Sequence, residues 1–479
     1  MGNRPLLVLE LDEHGADAGY MTRLEAFFDV LKRPRPPRKP RLAAKPEPSD
    51  ITGRTVWLPP MHVFGTPLFA AAFRSHGFDA RTLPDESKES FELGRSLTRG
   101  SECLPCALTI GTFLKTLREQ PRGGKHAFFM PSSKGPCRFG QYTVLHRQIL
   151  EREGLSDEVV ILAPAANNAY QGLSSEMRKS LFKAIASADI LLKAQCKVRP
   201  YEVNIGETDK VVAEALALVS KALETKGDIA AAIKTSVQKI AAVPTAGPRK
   251  PLVGIVGEIY VRNNVYANED VIGAVEMFGG EAWMLPITDW ILYTSSMTNF
   301  KEEFPGTIFS LEKLDTFVTY KWMKHWEQKL MKAAAPFLDD RHEPDFDECL
   351  DIATPYMQFY LGGEGKLSVG RALKFAQQGA AMVVNCAPFG CMPETVATSI
   401  FGRLSTDAGI PVVSLFYDGS GGQNRRLEVF LQNAIRGIKS GKPFNPADYQ
   451  LPGNYGGGEP LIPAQNLLSK VRPNQAGDA

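Results

Sequence analysis

The chain has 479 residues, of which 44% are hydrophobic and 23% are charged, and its formal net charge is +2. This composition is typical of a globular protein, and the near-neutral charge gives no indication of a nucleic acid or a membrane as a partner. No apolar run reaches transmembrane length, so we expect a cytoplasmic protein. Its seven cysteines are then thiols, metal ligands or catalytic groups, and not disulfides.

The first fifty residues read as a strand, a helix and a linker. An apolar run predicts a short buried strand over residues 6–11, and apolar residues on one face predict a helix over about 21–31. Prolines and basic residues crowd residues 33–50, which predicts an extended linker because proline fixes φ and removes a hydrogen-bond donor. We therefore separate residues 1–32 from the linker at 33–50.

Residues 51–245 alternate between strand and helix patterns, which predicts a first α/β module with a parallel sheet. The predicted strands cover residues 55–58, 79–83, 127–130 and 159–162. Helical patterns cover residues 65–76, 176–192 and 209–239.

Residues 246–445 predict a second α/β module. Its predicted strands begin at Leu252 and cover residues 380–384 and 412–416, with a helix over 393–405. A helical insertion over about 290–360 carries Trp322 and Trp326, which are expected to pack on the core or a partner. Residues 446–479 read as a loop-rich tail. The predicted fold is α/β, with several Rossmann-like parallel-sheet modules and a helical insertion.

Two segments repeat the same strand-then-helix pattern. One copy runs from Pro5 to Asp12 and continues as Arg-Leu-Glu-Ala-Phe at 23–27. The other runs from Pro411 to Asp418 and continues as Arg-Leu-Glu-Val-Phe at 426–430. The first copy thus looks like the end of a sister module, which we expect to dock on this chain or to have preceded it. Chance similarity between two strand–helix units is the alternative.

Three cysteine segments stand where an open α/β sheet keeps its ligand sites, in loops that lead into predicted helices. They are Cys103-Leu-Pro-Cys106, Gly135-Pro-Cys137 and Cys391-Met-Pro393. Proline after Cys103 and Cys391 suits the first helical position, where its missing N–H costs nothing. Helix N-termini favour anions, and cysteine thiolates hold iron–sulfur clusters. The pattern therefore predicts a cluster held by Cys103, Cys137 and Cys391.

The other four cysteines carry weaker signals. Cys106 lies one turn after Cys103 and is expected to assist as a metal ligand, whereas Cys386 either binds the cluster or ends a strand facing the core. Cys196 and Cys349 lack the loop context and are expected to be buried, inert thiols. A structural zinc site is the competing interpretation, but zinc prefers tight knuckles and that spacing occurs once.

Polar residues near the cysteines have two interpretations each. Glu102, Arg138 and Glu394 either cap helices, as acids favour the first turn, or exchange protons near a cluster. Residues 262–264 (Arg-Asn-Asn) follow a strand and either line a pocket or form a polar loop. No Walker-type phosphate loop is present, so ATP chemistry would belong to a partner.

The cysteine segments resemble the 2-hydroxyacyl-CoA dehydratase/benzoyl-CoA reductase superfamily, and within it the C-terminal reductase-like module of the activase-related branch. The similar motifs are Gly-Ser-Glu-Cys103-Leu-Pro-Cys106, Gly-Pro-Cys137-Arg-Phe-Gly-Gln-Tyr142, Pro388-Phe-Gly-Cys391-Met-Pro-Glu394, Arg199-Pro-Tyr-Glu202 and Gly257-Glu-Ile-Tyr-Val-Arg262-Asn-Asn264. The resemblance implies a [4Fe–4S] or double-cubane [8Fe–9S] cluster, with Cys103, Cys137 and Cys391 at ligand positions. Cys106 matches a cysteine common in this branch.

The resemblance also implies a function, which is an expectation at this point. The leading hypothesis is an oxygen-sensitive iron–sulfur reductase or dehydratase-like enzyme that takes low-potential electrons from a separate ATP-hydrolysing activase. It would work with a sister reductase-like module and pass the electrons to a small-molecule substrate. A non-catalytic iron–sulfur carrier, or an assembly or docking subunit of a larger complex, is the alternative. No CoA-binding signature is visible, so an acyl-CoA substrate rests on the resemblance alone.

Overall fold

The computed structural model describes residues 17–32, 51–133, 137–165, 170, 173–300, 311–358 and 363–440. The chain divides into two compact units, Met1–Asp50 and Ile51–Ala479. The first unit contains helix α1 (Asp17–Lys32), which confirms the helix predicted there. The strand expected at 6–11, the linker at 33–50 and the tail at 446–479 lie outside the described residues.

The second unit begins with a four-stranded parallel sheet in the order β2-β1-β3-β4. Its strands are β1 (Thr55–Leu58), β2 (Ala80–Thr82), β3 (His126–Phe129) and β4 (Val159–Leu162). Its helices are α2 (Gly65–Arg74), α3 (Lys88–Leu97), α4 (Leu104–Arg118), α5 (Tyr142–Arg152), α6 (Ser175–Val198), α7 (Glu207–Glu224) and α8 (Ile229–Ala241). All four residues of β3 are buried, as expected for a parallel strand covered on both faces.

A second four-stranded parallel sheet has the order β6-β5-β7-β8. Its strands are β5 (Leu252–Gly257), β6 (Glu281–Met284), β7 (Met382–Pro388) and β8 (Val412–Tyr417). Its helices are α9 (Ile259–Asn263), α10 (Val271–Met277), α11 (Ile287–Phe300), α12 (Leu311–Ala334), α13 (Phe346–Ala353), α14 (Gly365–Gln377), α15 (Met392–Ala408) and α16 (Arg426–Ser440). β6 has no counterpart among the strands predicted from the sequence.

Local sequence explains where several helices begin and end. Ser87 and Ser90 form a reciprocal capping box at the start of α3, and the Asp228 carboxylate accepts the Ala231 N–H at the start of α8. Gly409 ends α15 in the left-handed conformation with φ 68°, two residues before Pro411. These are the start and stop signals that a sequence pattern can carry.

Helices α6 and α12 join the two modules into one core. Helix α6 packs on α2 of the first module and on β6 of the second, and α12 packs on α6. Trp322 of α12 meets the Phe182 ring edge-on, and the Lys183 ammonium lies 3.9 Å from the Trp326 ring centroid. The predicted packing role of both tryptophans is confirmed. Among the described helices, none is both long and apolar enough to cross a membrane.

Both sheets have the same strand order, and this confirms the α/β fold with Rossmann-like parallel modules. In each sheet the second strand in the chain lies on one side of the first strand, and the third strand lies on its other side. The switch points therefore lie between β1 and β3 and between β5 and β7. The C-terminal repeat copy spans β8 and the start of α16, and the helical half of the N-terminal copy lies in α1.

Candidate functional site

A cavity of about 400 Å³ lies at the carboxyl ends of both sheets. Residues at the ends of the central strands line it, including Pro59 after β1, Met130 after β3, Glu258 after β5 and Pro388 at the end of β7. These strands flank the two switch points, which is where open α/β sheets bind ligands. The fold therefore directs two switch points toward one space.

Cys103, Cys137 and Cys391 all line this cavity. Cys103 and Cys391 are buried and Cys137 is half-buried. Cys103 directly precedes α4, Cys137 follows the loop after β3, and Cys391 directly precedes α15. The structure thus brings together the three cysteines that the sequence predicts as the core ligands.

The two Cys-x-Pro segments begin helices as predicted. Cys103 and Cys391 are the N-cap residues of α4 and α15, and both have extended backbone conformations. The prolines, Pro105 and Pro393, occupy the second helical position and not the first. A proline costs little at the second position as well, because the first N–H groups of a helix have no intrahelical acceptor.

Arg138 ties two cysteine loops to each other. Its Nη2 donates to the Gly390 carbonyl at 2.5 Å, and its Nη1 donates to the Ser101 carbonyl. Ser101 precedes Cys103 and Gly390 precedes Cys391, so one guanidinium fixes the spacing of two loops from different modules. The planar fork of arginine suits such a bridge.

Cys106 lies behind the cavity and not in its lining. Its side chain has no exposed surface, and its sulfur lies 3.6 Å from His146 Nε2. It belongs to the same apolar cluster of the first module as Cys103. A ligand role for Cys106 stays a prediction.

The remaining cysteines are buried away from the cavity lining. Cys386 lies within β7, with its sulfur 3.8 Å from the Tyr417 hydroxyl. This is the strand position facing the core that the sequence allowed for it. Cys196 in α6 and Cys349 in α13 are buried among apolar side chains, as expected.

Acidic residues surround the cysteine end of the cavity. Glu258 and Glu364 line it, and Glu394 is fully buried with its Oε1 accepting from the Ser368 hydroxyl at 2.9 Å. Burial raises the pKa of all three carboxyls, to about 7 for Glu394, and the neighbouring Arg262 opposes the rise. These groups therefore hold protons at higher pH than ordinary carboxyls do.

The two acids beside the cysteines differ in position. Glu394 lies in the first turn of α15, where acids were expected, and its Oε1 accepts from the Ser368 hydroxyl. Glu102 lies before α4 and accepts the Arg99 N–H at 2.9 Å. Arg262 donates to carbonyls at the ends of β5 and β6, so it is structural and lies outside the cavity lining. Asn264 donates to the Pro60 carbonyl at 2.6 Å, which joins the modules.

The cavity thiols are held in the protonated form. Burial raises the pKa of Cys137 to about 12 and also raises the pKa values of Cys103 and Cys391. Carboxyls, above all Glu364 near Cys391, add to this effect. The thiols would lose their protons to solvent on binding a strongly cationic partner such as iron.

Tyr142 is a site residue whose role the sequence did not reveal. Its hydroxyl lies 2.5 Å from the Cys103 sulfur, and the ring is buried. Burial raises the pKa of Tyr142 well above its usual range, so the phenol keeps its proton. It can therefore donate a hydrogen bond to a thiolate at Cys103.

The donor set has the chemistry that an iron–sulfur cluster requires. Three cysteines from separate segments line one cavity, and cysteine sulfur is the ligand that holds such clusters. Within the described ranges, no three cysteine, histidine or acidic side chains converge into a ready metal-binding group. The thiols stand around the cavity and do not meet at one point.

No protein-family model and no curated protein matches this chain. We therefore infer function from the residues of the cavity and from the resemblance carried by the cysteine motifs.

Proposed function

We propose that this protein is an iron–sulfur enzyme that accepts low-potential electrons from a separate ATP-hydrolysing activase and passes them to a small substrate. One observation carries the proposal: Cys103, Cys137 and Cys391, from three distant segments, line one cavity at the carboxyl ends of two parallel sheets. Thiolates hold iron–sulfur clusters, and strand ends at a switch point bind ligands.

The bound cluster, [4Fe–4S] or double-cubane [8Fe–9S], would supply one-electron reduction at low potential. Residues of this chain would bind and position the cluster. The three cysteine sulfurs hold the cluster, Tyr142 donates to the Cys103 sulfur, and Arg138 sets the distance between two cysteine loops. Apolar side chains from both modules line much of the rest of the cavity.

The proposed electron donor is a second protein, because the sequence has no phosphate loop of its own. A sister module is proposed from the repeated strand–helix pattern. Helix α1 exposes Met21, Phe28 and Leu31, and an exposed apolar set is suited to a protein partner. This exposure also favours the second candidate, a docking or carrier subunit that holds a cluster without turning over substrate.

Iron and acid-labile sulfide per chain, measured after anoxic purification, test the proposal directly. About four irons with matching sulfide support a single cubane, and about eight support a double cubane that recruits further thiols. Zinc without sulfide would contradict the proposal and leave a structural metal site.

Single substitutions identify the ligands. We expect Cys103→Ala, Cys137→Ala and Cys391→Ala each to lose more than half of the iron and sulfide. Cys349→Ala is the matched control, because Cys349 is also a buried cysteine but lies in α13, outside the cavity lining. Iron content that is unchanged in all three cavity variants would refute the assignment. Substrate reduction that needs both this chain and an activase separates the enzyme from the carrier.

A further inference from the structure

We propose that the end of the cavity around His62 binds the substrate as an uncharged, largely apolar molecule, and that His62 Nε2–H holds one acceptor atom of it. We call this end the histidine lobe; its residues are His62, Gly65, Phe69, Phe129, Tyr170 and Ile185, and all line the cavity. The assignment of the bound molecule as the substrate rests on the proposed function. Binding of a molecule to the histidine lobe can be tested whether or not that function is correct.

Hydrogen bonds fix the tautomer of His62. The backbone N–H groups of Phe64 and Gly65 both donate to its Nδ1, at 3.0 and 2.9 Å. Burial, with a contribution from Arg262, lowers the pKa of His62 to about 3, so the ring is neutral at physiological pH. A neutral imidazole that accepts at Nδ1 carries its proton on Nε2. His62 therefore presents a donor.

That donor has no partner among the described residues. His62 is 2% exposed, yet its Nε2 makes no hydrogen bond. The nearest carboxylate oxygen, Asp189 Oδ1, is 3.9 Å away. Asp189 is already engaged, because its oxygens accept from the N–H groups of Ile287 and Thr288 and from the Thr288 hydroxyl. A buried unpaired donor is costly, so an acceptor in the cavity would be favoured.

The walls of the lobe are apolar and leave room beside His62. A side chain at position 65 would begin 3.1 Å from His62 Cβ and 3.3 Å from Ile185 Cδ1, so glycine keeps this space open. The Phe69 ring meets Phe129 and Tyr170 edge-on, at centroid distances of 6.0 and 5.8 Å. Such walls accept an aromatic or aliphatic body.

The lobe has no free cation among its described residues and so favours an uncharged ligand. The Asp189 carboxyl lies beside His62, and its oxygens already accept three hydrogen bonds. Arg138 lines the cavity, but two of its guanidinium nitrogens already bond to backbone carbonyls. Phosphates and carboxylates are recognised by free arginine or lysine groups. The part of the substrate that enters the lobe is therefore neutral.

Calorimetric titration of the anoxically purified protein tests this with three probes of similar size. Benzamide has an apolar ring and a neutral acceptor, toluene has the ring alone, and benzoate has the ring and a negative charge. We expect benzamide to bind at least tenfold more tightly than benzoate. Failure of benzamide to bind the wild-type protein would overturn the proposal.

His62→Asn and His62→Gln separate the donor from the local fold. Asparagine Oδ1 can replace Nδ1 as the acceptor for Phe64 and Gly65 while deleting the Nε2 donor, and glutamine places an amide N–H near the Nε2 position. We expect His62→Asn to weaken benzamide binding about five- to tenfold, the loss of one hydrogen bond, with toluene affinity unchanged. His62→Gln should recover part of the benzamide affinity. Equal losses for benzamide and toluene would overturn the proposal.

Two further measurements keep the result unambiguous. In wild-type protein with ¹⁵N-labelled histidine, the Nε2 resonance of His62 should shift with benzamide and not with toluene, and this requires no variant to fold. Iron and sulfide are measured on the same samples. Benzamide binding by a protein without iron would refute the proposed cluster and support ligand binding in the histidine lobe. Iron without benzamide binding would support the cluster and refute binding in the lobe.

Discussion

At the scale of single residues, the contact between Tyr142 and Cys103 is the feature that most directly affects the proposed cluster. The phenol keeps its proton, so it donates to a thiolate sulfur. Hydrogen bonds to ligand sulfurs stabilise the more negative, reduced state of a cluster and so raise its reduction potential.

Replacing Tyr142 by phenylalanine should therefore make the reduction potential of the bound cluster more negative. One net hydrogen bond of about 1 kcal/mol corresponds to about 40 mV for a one-electron couple. Redox titration followed by electron paramagnetic resonance measures the shift. Tyr417→Phe is the control, because the Tyr417 hydroxyl lies near Cys386, outside the cavity lining, and should leave the potential unchanged. A potential that is the same in Tyr142→Phe would contradict a donor role.

At the scale of elements, the close packing of α3 against α4 positions the loop that carries Cys103. A Cβ at Gly111 would lie 1.9 Å from the Ser90 carbonyl oxygen, and a Cβ at Gly94 would lie 1.9 Å from the Ala107 carbonyl oxygen. Each glycine thus lets one helix backbone approach the other. Since α4 begins directly after Cys103, its placement sets where that thiol enters the cavity.

Gly111→Ala should destabilise the protein by about 2 kcal/mol or more, because the new methyl group meets backbone that cannot move aside. Gly402→Ala is the matched control: Gly402 lies in α15 with nothing within 4 Å of the added atom. That variant should be neutral or gain up to about 1 kcal/mol from better helix propensity. Urea unfolding of both variants measures the difference, and equal stabilities would show that the α3–α4 contact yields readily.

Sequence patterns predicted most elements where local signals are complete. The strands β1 and β4 were placed to the residue, because short apolar runs are bounded there by polar residues. Strand β6 was missed because it begins with a charged residue, Glu281, whose carboxylate is ion-paired with Arg341. A buried charge of this kind looks like a loop residue when its partner is distant in the sequence.

The residues of the candidate site could also be predicted only where local sequence signals place them. Cys137 and Cys391 could be predicted because each lies between a strand and a helix, where an open sheet keeps its ligand sites. Cys103 lies between α3 and α4, and its Cys-x-Pro helix start identified it. The place of Glu364 in the cavity could not be predicted, because it depends on tertiary packing. A Cβ added at Gly363 would lie 3.1 Å from Pro393 Cγ, and one added at Gly365 would lie 2.7 Å from the Pro393 carbonyl oxygen. The unpaired His62 nitrogen likewise emerges only from three-dimensional contacts.

At the scale of the whole molecule, the two modules are joined by a buried carboxyl next to the cavity. Glu86, in the loop between β2 and α3 of the first module, accepts hydrogen bonds from the Tyr260 hydroxyl and from Asn264 Nδ2 of the second. It is 8% exposed. Burial, only partly offset by these two bonds, raises the pKa of Glu86 to about 7.

The raised pKa of Glu86 gives a signed prediction for stability against pH. Between pH 4.5 and 7 the folded protein keeps the proton while the unfolded chain loses it, so Glu86 makes stability fall as pH rises through this window. The loss is at most about 3 kcal/mol. Glu86→Gln keeps an Oε1 acceptor for Tyr260 and Asn264 but cannot ionise. From pH 5 to pH 8, it should therefore gain about 2 kcal/mol relative to wild type.

Urea unfolding followed by tryptophan fluorescence at the two pH values measures the Glu86→Gln effect. Glu92→Gln is the control, because Glu92 is an exposed carboxylate on α3 and its replacement should leave the pH dependence as in wild type. Parallel pH profiles for wild type and Glu86→Gln would show that Glu86 ionises freely in the folded protein. The contact between the modules would then tolerate a buried charge, and the cavity wall beside it would be better solvated than the packing of Tyr260 indicates.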